Sequence, residues 1–327
     1  MTPEEIAQRI VSGELPAAAR LMRAIDDVQP EAVDALKLLF PHTGRARVIG
    51  ITGSPGVGKS TLTDAVVTRL RKKKLTVGVV AVDPTSPFSG GAILGDRIRM
   101  QRHANDDDVF IRSLATRGHF GGLTCSTRGV VAVMDAMGKD VILVETVGVG
   151  QDEVDIARMA DTTIIVTVPG MGDDVQAIKA GILEVGDIFV VNKMDRDGAG
   201  ITAGHLKAML SLTFHPHGTE CDQVAQPWYP PVVSCCSLDG RGMDELLQAM
   251  DDHYEALTVD GGKLLTKRRI ERAEKEILDL FQLRINQMFF ARLGNGGRIE
   301  AVAKDVASMR IDPYTACEEL MKSAKII

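Results

Sequence analysis

A glycine-rich segment directly after an apolar run places the strongest constraint on how this chain can fold. Residues 53–61 read G-S-P-G-V-G-K-S-T, and the run Arg47–Thr52 precedes them. The pattern G-x-x-x-x-G-K-[ST] requires a strand, a loop and a helix in that order, because the loop amides and the helix N-terminus together hold a polyphosphate. The sequence therefore predicts a phosphate-binding loop at the end of a strand.

The residues of this loop have predicted roles in nucleotide binding. Its glycines allow backbone conformations and a close approach that a side chain would block. Lys59 reaches the β- and γ-phosphates, and the hydroxyl of Ser60 is a candidate ligand for Mg²⁺. The predicted nucleotide-binding residues of the loop are Gly53, Ser54, Pro55, Gly56, Val57, Gly58, Lys59, Ser60 and Thr61.

Short β-branched runs alternate with helical patterns from residue 45 to about residue 258. This alternation is typical of a parallel sheet that is covered by helices on both faces, whose buried strands are almost continuously apolar. The fold class that we predict is therefore α/β, with a mostly parallel sheet. The predicted strands are residues 47–52, 76–82, 109–113, 141–145, 162–168, 189–192 and 232–235.

Helical patterns flank this alternation on both sides. Residues 1–44 carry apolar positions at helical spacing, so we expect an N-terminal helical extension. The predicted limits are 1–44 for that extension, 45–258 for the nucleotide domain and 259–327 for a C-terminal helical extension.

The C-terminal extension begins with a Gly261-Gly262 break and a long helix from about Leu265 to Phe290. One stripe of this helix is apolar, which both packing on the sheet domain and pairing of two subunits would explain. The stripe consists of Ile270, Ala273, Ile277, Phe281, Ile285 and Met288.

A second motif, Asn192-Lys193-Met194-Asp195, lies at the end of the sixth predicted strand and indicates which base binds. The carboxylate of Asp195 can accept hydrogen bonds from both N1–H and the exocyclic amine of guanine, whereas adenine offers no such pair of donors. Lys193 would lie along the base, and Asn192 would brace the loop. GTP and GDP are therefore the predicted ligands.

The end of the next strand supplies a second predicted base-contacting segment. There, backbone N–H groups can meet the carbonyl of guanine. The residues are Cys236, Ser237 and Leu238.

Phosphoryl transfer needs charge stabilisation and a positioned water, so carboxylates at strand ends are candidate metal ligands. Glu145 and Asp83 each end a predicted strand, and Asp96 follows in a nearby loop. Gly148 is a candidate N–H donor to the γ-phosphate. Lys179 is a candidate cation for the transition state, although the pattern favours an ordinary exposed helical lysine. The loops 84–95, 147–153 and 169–175 are candidate switches that respond to the γ-phosphate.

Composition excludes several other classes of function. The net charge is −6 and no long basic block occurs, so we expect no nucleic-acid partner. No apolar run approaches 18 residues, and the N-terminus has no targeting pattern. Five cysteines without a C-x-x-C pattern fit a reducing compartment. We therefore expect a cytoplasmic protein with no membrane partner.

Several strings together resemble one family, the ArgK/MeaB P-loop GTPases. They are V-D-P-T-S from Val82, G-G-A-I-L-G-D-R-I-R-M from Gly90, E-T-V-G-V-G-Q from Glu145, P-G-M-G-D from Pro169 and N-K-M-D from Asn192. The string from Glu145 is specific, because most GTPases have Asp-x-x-Gly at that place. The resemblance covers residues 45 to about 258 and implies a P-loop NTPase fold of the SIMIBI type.

The resemblance also implies a function. It predicts a slow GTPase that uses GTP and Mg²⁺ as a chaperone, gating the delivery of adenosylcobalamin to a cobalamin-dependent acyl-CoA mutase and protecting that enzyme. Methylmalonyl-CoA mutase is the first candidate, and a homodimer formed through the C-terminal helices is expected.

This chain departs from the family pattern at three places. Cys236-Ser237 stands where the family has Ser-Ala, Ser113 replaces a usual proline, and Arg128-Gly129 lacks an expected acidic residue. The last two leave open which acyl-CoA mutase is the partner.

Two other hypotheses about the function remain open. A nickel metallochaperone GTPase has slight support from His215, His217 and Cys221, and a metabolic kinase would need a further pocket and a catalytic base.

Overall fold

The computed structural model describes residues 1–84, 100–103, 105–116, 122–146, 159–170, 183–214, 228–293 and 297–324. Within these residues seven strands form one parallel sheet in the order β3-β2-β4-β1-β5-β6-β7. All seven predicted strands are confirmed, with small shifts at their ends. The strands are β1 Arg47–Thr52, β2 Val77–Pro84, β3 Val109–Thr116, β4 Val141–Thr146, β5 Thr162–Thr167, β6 Ile188–Val191 and β7 Val232–Ser234.

The central strands are buried on both faces, as their apolar sequences predict. Every residue of β4, β5 and β6 is buried. Two core clusters flank these strands. One contains side chains of α4, Lys59–Lys72, and of the first turns of α7, Met243–Leu293. The other contains side chains of the N-terminal helices and of α5, Gly122–Ala136. A smaller cluster joins β6 to α6, Ala199–Phe214.

The predicted N-terminal helices are confirmed as α1 Pro3–Val11, α2 Leu15–Asp26 and α3 Pro30–Leu39. Thr2 begins α1 with a capping box, in which its hydroxyl accepts from the N–H of Glu5 and the Glu5 carboxylate accepts from the N–H of Thr2. Gly129 of α5 lies against α2, since a Cβ at Gly129 would be 3.1 Å from Cγ2 of Ile25. The N-terminal helices therefore pack directly on the sheet domain.

The long C-terminal helix is also confirmed, together with its break. Helix α7 has non-helical dihedral angles from Val259 to Gly262, where Asp260, Gly261 and Gly262 all have positive φ. Two shorter helices follow, α8 Gly297–Ala307 and α9 Pro313–Ser323. In the part of the chain that is described, no helix is both long and apolar enough to cross a membrane.

The chain divides into two compact units, Met1–Arg272 and Ala273–Ile327. The predicted limits 1–44, 45–258 and 259–327 remain a prediction.

Candidate functional site

The phosphate-binding loop joins β1 to α4, as the sequence predicts. Gly58 has φ +94° and caps the N-terminus of α4, which begins at Lys59. Gly53 has φ +143°, and a Cβ there would lie 2.1 Å from the carbonyl oxygen of Val166. Both glycines are therefore required by the geometry, one by the entry into the helix and the other by the close approach of β5.

The side chain of Lys59 is buried inside the loop. Its Nζ donates to the carbonyl oxygens of Gly53 at 2.6 Å and of Ser54 at 3.0 Å. Lysine carries a compact charge with three donors, so the ammonium group is held where a phosphate chain would lie along the loop amides.

Ser60 and Glu145 come together at the mouth of this loop. Strand β4 pairs with β1 so that Glu145 lies opposite Ile51, one residue before the end of β1. The hydroxyl of Ser60 donates to Oε1 of Glu145 at 2.6 Å, and both side chains are buried. Two oxygen groups of the kind that Mg²⁺ prefers therefore lie side by side at the start of α4.

The motif Asn192-Lys193-Met194-Asp195 lies against the phosphate loop through Asn192. Its Nδ2 donates to the carbonyl of Val57 at 2.9 Å. Its Oδ1 accepts from the hydroxyl of Ser237 at 2.8 Å and from the backbone N–H of Ser237 at 3.2 Å. One buried amide therefore connects the phosphate loop to both predicted base-contacting segments.

Lys193 adds a second connection between the same two loops. Its Nζ donates to the carbonyl of Gly56 at 2.8 Å, and its own backbone has φ +56°. The left-handed conformation turns the chain sharply after β6, and the alkyl stem reaches the phosphate loop.

The segment after β7 forms a turn beside this motif. The N–H of Met194 donates to the carbonyl of Cys235 at 3.0 Å, which joins the two segments through their backbones. Ser237 is buried, whereas Asp195 is exposed and Leu238 is 86% exposed. The exposed position of Asp195 leaves its carboxylate open to a base.

The titratable groups of this turn have shifted pKa values. Burial and the neighbouring Asp195 carboxylate raise the pKa of the Cys236 thiol, although nearby backbone hydrogen bonds oppose the shift. Burial raises the pKa of Cys235 to about 12. Hydrogen bonds from Arg241 lower the pKa of Asp239 to about 2. The two thiols are therefore protonated at neutral pH, and the Asp239–Arg241 pair holds the outer side of the turn.

Several predicted site residues lie wholly or partly outside the described part of the chain. The backbone of Asp83 lies in β2, in register with Ala115 of β3, but its side chain is not described. Asp96, Gly148 and Lys179 lie outside the described residues, as do His215, His217 and Cys221. Their roles remain predictions.

Two threonines that were not predicted as site residues lie beside Glu145. The hydroxyl of Thr146 donates to the hydroxyl of Thr52 at 2.9 Å, and both side chains are buried. This bond ties the last residues of β4 and β1 together just before the phosphate loop. The signal in the sequence was a threonine at the carboxyl end of each of these two strands. It indicates a contact between the two side chains only when the strands are known to be neighbours.

Comparisons with known proteins agree on one family. Residues 18–293 match the family model for the methylmalonyl-CoA mutase-associated GTPase MeaB. A candidate GTPase of Pyrococcus abyssi is 46% identical over 320 residues, which are 98% of this chain and 96% of that protein. GTPase ArgK of Escherichia coli is 38% identical over 264 residues, which are 80% of this chain and 78% of that protein.

Among solved structures, a LAO/AO transport system kinase superposes with a TM-score of 0.70 at 28% identity, covering 98% of this chain and 96% of that one.

Proposed function

Because the chain belongs to the MeaB family of methylmalonyl-CoA mutase-associated GTPases, we propose that it is a GTP-driven chaperone for a cobalamin-dependent acyl-CoA mutase. The family match makes the chain a P-loop GTPase that binds guanine nucleotides. In the proposal, GTP binding and hydrolysis gate the delivery of adenosylcobalamin to the mutase and protect that enzyme. The observation that carries the proposal is the family match over residues 18–293, which spans both nucleotide motifs.

At the phosphate end, Lys59 is proposed to hold the β- and γ-phosphates. Ser60 and Glu145 would hold Mg²⁺, assisted by Asp83 and Asp96. The fit is supported by the 2.6 Å contact between the Ser60 hydroxyl and the Glu145 carboxylate, since both supply the oxygen ligands that Mg²⁺ takes. When bound, the metal would neutralise charge on the phosphate oxygens. Gly148 and Lys179 are the further candidates for contact with the γ-phosphate.

At the base end, Asp195 is proposed to read the guanine edge. Cys236, Ser237 and Leu238 would supply backbone donors to the guanine carbonyl. Two buried hydrogen bonds support this assignment, because they link the base segments to the phosphate loop: Asn192 donates to the carbonyl of Val57 and accepts from the hydroxyl of Ser237.

A homodimer is the proposed assembly, with residues 259–327 as the dimerisation element. Within the unit Ala273–Ile327, the predicted stripe remains exposed: Ile277 is 65% and Phe281 is 64% exposed. Ile285 and Met288 continue the stripe at 42% and 47%. Pairing of two such faces would remove this apolar surface from water. The proposed compartment is the cytoplasm, where the free thiols of the described residues would stay reduced.

The partner can be tested directly. A panel of cobalamin-dependent acyl-CoA mutases, with methylmalonyl-CoA mutase first, is tested for co-purification with this protein and for acceleration of its GTP hydrolysis. We expect one mutase to do both. A panel in which no mutase binds or changes turnover would overturn the chaperone proposal.

Ligand identity is tested by isothermal titration with GDP, ADP and Ni²⁺. We expect tight binding of GDP only. Equal binding of ADP would contradict the guanine assignment, and a tight Ni²⁺ site would favour the metallochaperone alternative.

A further inference from the structure

Two buried aspartates lie at the end of the sheet that is opposite the phosphate loop. Asp161 and Asp187 immediately precede β5 and β6, so they lie at the amino ends of those strands. Each binds a neighbouring strand: Oδ2 of Asp161 accepts from the N–H of Val48 in β1 at 3.0 Å, and Oδ2 of Asp187 accepts from the N–H of Thr163 in β5 at 2.8 Å. The two carboxylates therefore connect the starts of three adjacent strands.

Two arginines from one face of α7 bind these carboxylates. Arg272 donates to Oδ1 of Asp161 at 2.9 Å and to the carbonyl of Ala160 at 3.0 Å. Arg268 binds both oxygens of Asp187, at 2.9 and 3.2 Å. We call Arg268, Arg272, Asp161 and Asp187 the arginine clamp.

The spacing of the clamp follows from element geometry. Residues 268 and 272 are four apart, so their Cα atoms rise by about 6 Å along the helix and share a face. Neighbouring strands are about 4.8 Å apart. A helical turn that crosses the amino ends of two neighbouring strands can therefore place one arginine at each carboxylate.

The clamp lies just after the break in α7. Asp260, Gly261 and Gly262 all have positive φ, so the backbone departs from the right-handed helical conformation just before Lys263. The direction of residues 263–272 is consequently not set by the helix before them. Within the unit Met1–Arg272, the clamp attaches this segment to the sheet by ionic hydrogen bonds.

The strands that the clamp holds are the ones that lead to the nucleotide. Strand β1 runs from the Val48 contact to the phosphate loop, and β6 runs from Asp187 to Asn192. We propose that the arginine clamp couples the nucleotide site to residues 263–272, so that binding of a guanine nucleotide changes how firmly this segment is held. The proposal requires guanine-nucleotide binding but is independent of which mutase is the partner.

A natural reporter lies next to the clamp. Trp228 is the single tryptophan of the chain, and its indole N–H donates to the carbonyl of Asp187 at 2.8 Å. The indole ring lies 4.9 Å from the ring of His253, a fully buried residue whose Nε2 is 3.2 Å from Oδ1 of Asp187. Any displacement of Asp187 therefore changes the surroundings of the indole.

The experiment compares the unmodified protein with the double variant Arg268→Gln/Arg272→Gln and with Lys267→Gln. Lys267 is the matched control, because its described ion pair is with Glu271 of the same helix. Hydrogen–deuterium exchange of residues 263–272 and Trp228 emission are measured without nucleotide, with GDP and with a non-hydrolysable GTP analogue.

In the unmodified protein and in Lys267→Gln we expect exchange of residues 263–272 to differ at least threefold between nucleotide states, with a parallel change in Trp228 emission. In the double variant we expect at least tenfold faster exchange in every state and no dependence on nucleotide. Equal exchange of the unmodified protein in all states would overturn the proposal, as would a double variant that behaves like Lys267→Gln.

A second variant keeps the proposal testable if the glutamine variant does not fold. Arg268→Lys/Arg272→Lys retains both charges but loses the forked geometry of guanidinium, so we expect an intermediate exchange rate. A rate identical to that of the unmodified protein would contradict the clamp. A protein that binds no guanine nucleotide at all would instead contradict the proposed function, which the GDP titration shows separately.

Discussion

The side-chain amide of Asn192 donates to the carbonyl of Val57 at 2.9 Å, across a sequence separation of 135 residues. This bond joins the phosphate loop, which follows β1, to the motif that begins at Asn192, which follows β6. Its amide oxygen in turn accepts from Ser237, so three segments share a single buried group. The nucleotide site is therefore braced before any ligand binds.

Replacing this group should loosen the site and the fold together. We expect Asn192→Ala to lower the free energy of unfolding by about 1–3 kcal/mol, because it leaves the carbonyl of Val57 and the hydroxyl of Ser237 without this partner. GDP affinity should also fall. Urea unfolding and GDP titration measure the two effects, and an unchanged unfolding midpoint would contradict the bracing role.

Asp195 should control specificity without affecting stability, since its side chain is exposed. We expect Asp195→Asn to shift preference from guanine to xanthine nucleotides, because an amide donates where the carboxylate accepts. Competition between GDP and XDP measures the shift. Unaltered discrimination in favour of GDP would refute the assigned contact.

Lys59 should be essential for nucleotide binding and dispensable for folding. We expect Lys59→Ala to weaken GDP binding at least about 100-fold, the loss of a charged hydrogen bond to phosphate of about 3 kcal/mol. Lys72→Ala, at the exposed end of the same helix, is the control and should bind GDP normally. Circular dichroism checks that both variants are folded; a folded Lys59→Ala protein with normal affinity would exclude the predicted phosphate contact.

Gly58 should be intolerant of a side chain for two reasons. It has φ +94°, and a Cβ there would lie 2.7 Å from Nδ2 of Asn192. Gly138 has a similar φ of +82° but no atom within 4 Å of such a Cβ, so Gly138→Ala isolates the cost of backbone strain, about 1–2 kcal/mol. We expect Gly58→Ala to be more destabilised than Gly138→Ala in thermal unfolding and to lose GDP affinity, which the control retains. Equal thermal stability and equal GDP affinity of the two variants would show that the close approach of Asn192 to Gly58 affects neither property.

The cysteines should differ strongly in reactivity. Burial raises the pKa of Cys235 to about 12, so at pH 8 only about one thiol in 10⁴ is ionised, whereas Cys317 is exposed. We expect iodoacetamide to alkylate Cys317 in the native protein. Cys235 should react only after the protein has been denatured. Peptide mass spectrometry locates the modified residues, and rapid native labelling of Cys235 would contradict its burial.

The local elements and the nucleotide chemistry could be predicted from the sequence. The seven strands, the N-terminal helices and the break before residue 263 all follow from short-range periodicity and glycine placement, which act over a few residues. The sequence also predicted Glu145 as a metal ligand at the phosphate loop, because it ends a strand where parallel sheets bind ligands. Its contact with Ser60 needed the pairing of β4 with β1.

Other features could not be predicted in this way. In the sequence, Asp161 and Asp187 are ordinary polar residues before predicted strands. Arg268 and Arg272 belong to a helix that carries many charged residues. The clamp between them depends on the position of the helix over the sheet.

By itself, the sequence determined the type of each element and the phosphate loop and predicted the preference for guanine, since these depend on backbone conformation and on which hydrogen bonds a side chain can donate or accept. Only the tertiary structure decided the strand order β3-β2-β4-β1-β5-β6-β7 and the partners of buried polar groups. The 111 residues between Asp161 and Arg272 illustrate the reason. A pairing across such a distance is set by how apolar faces pack and how crossovers route the chain, and no local pattern of residues records either one.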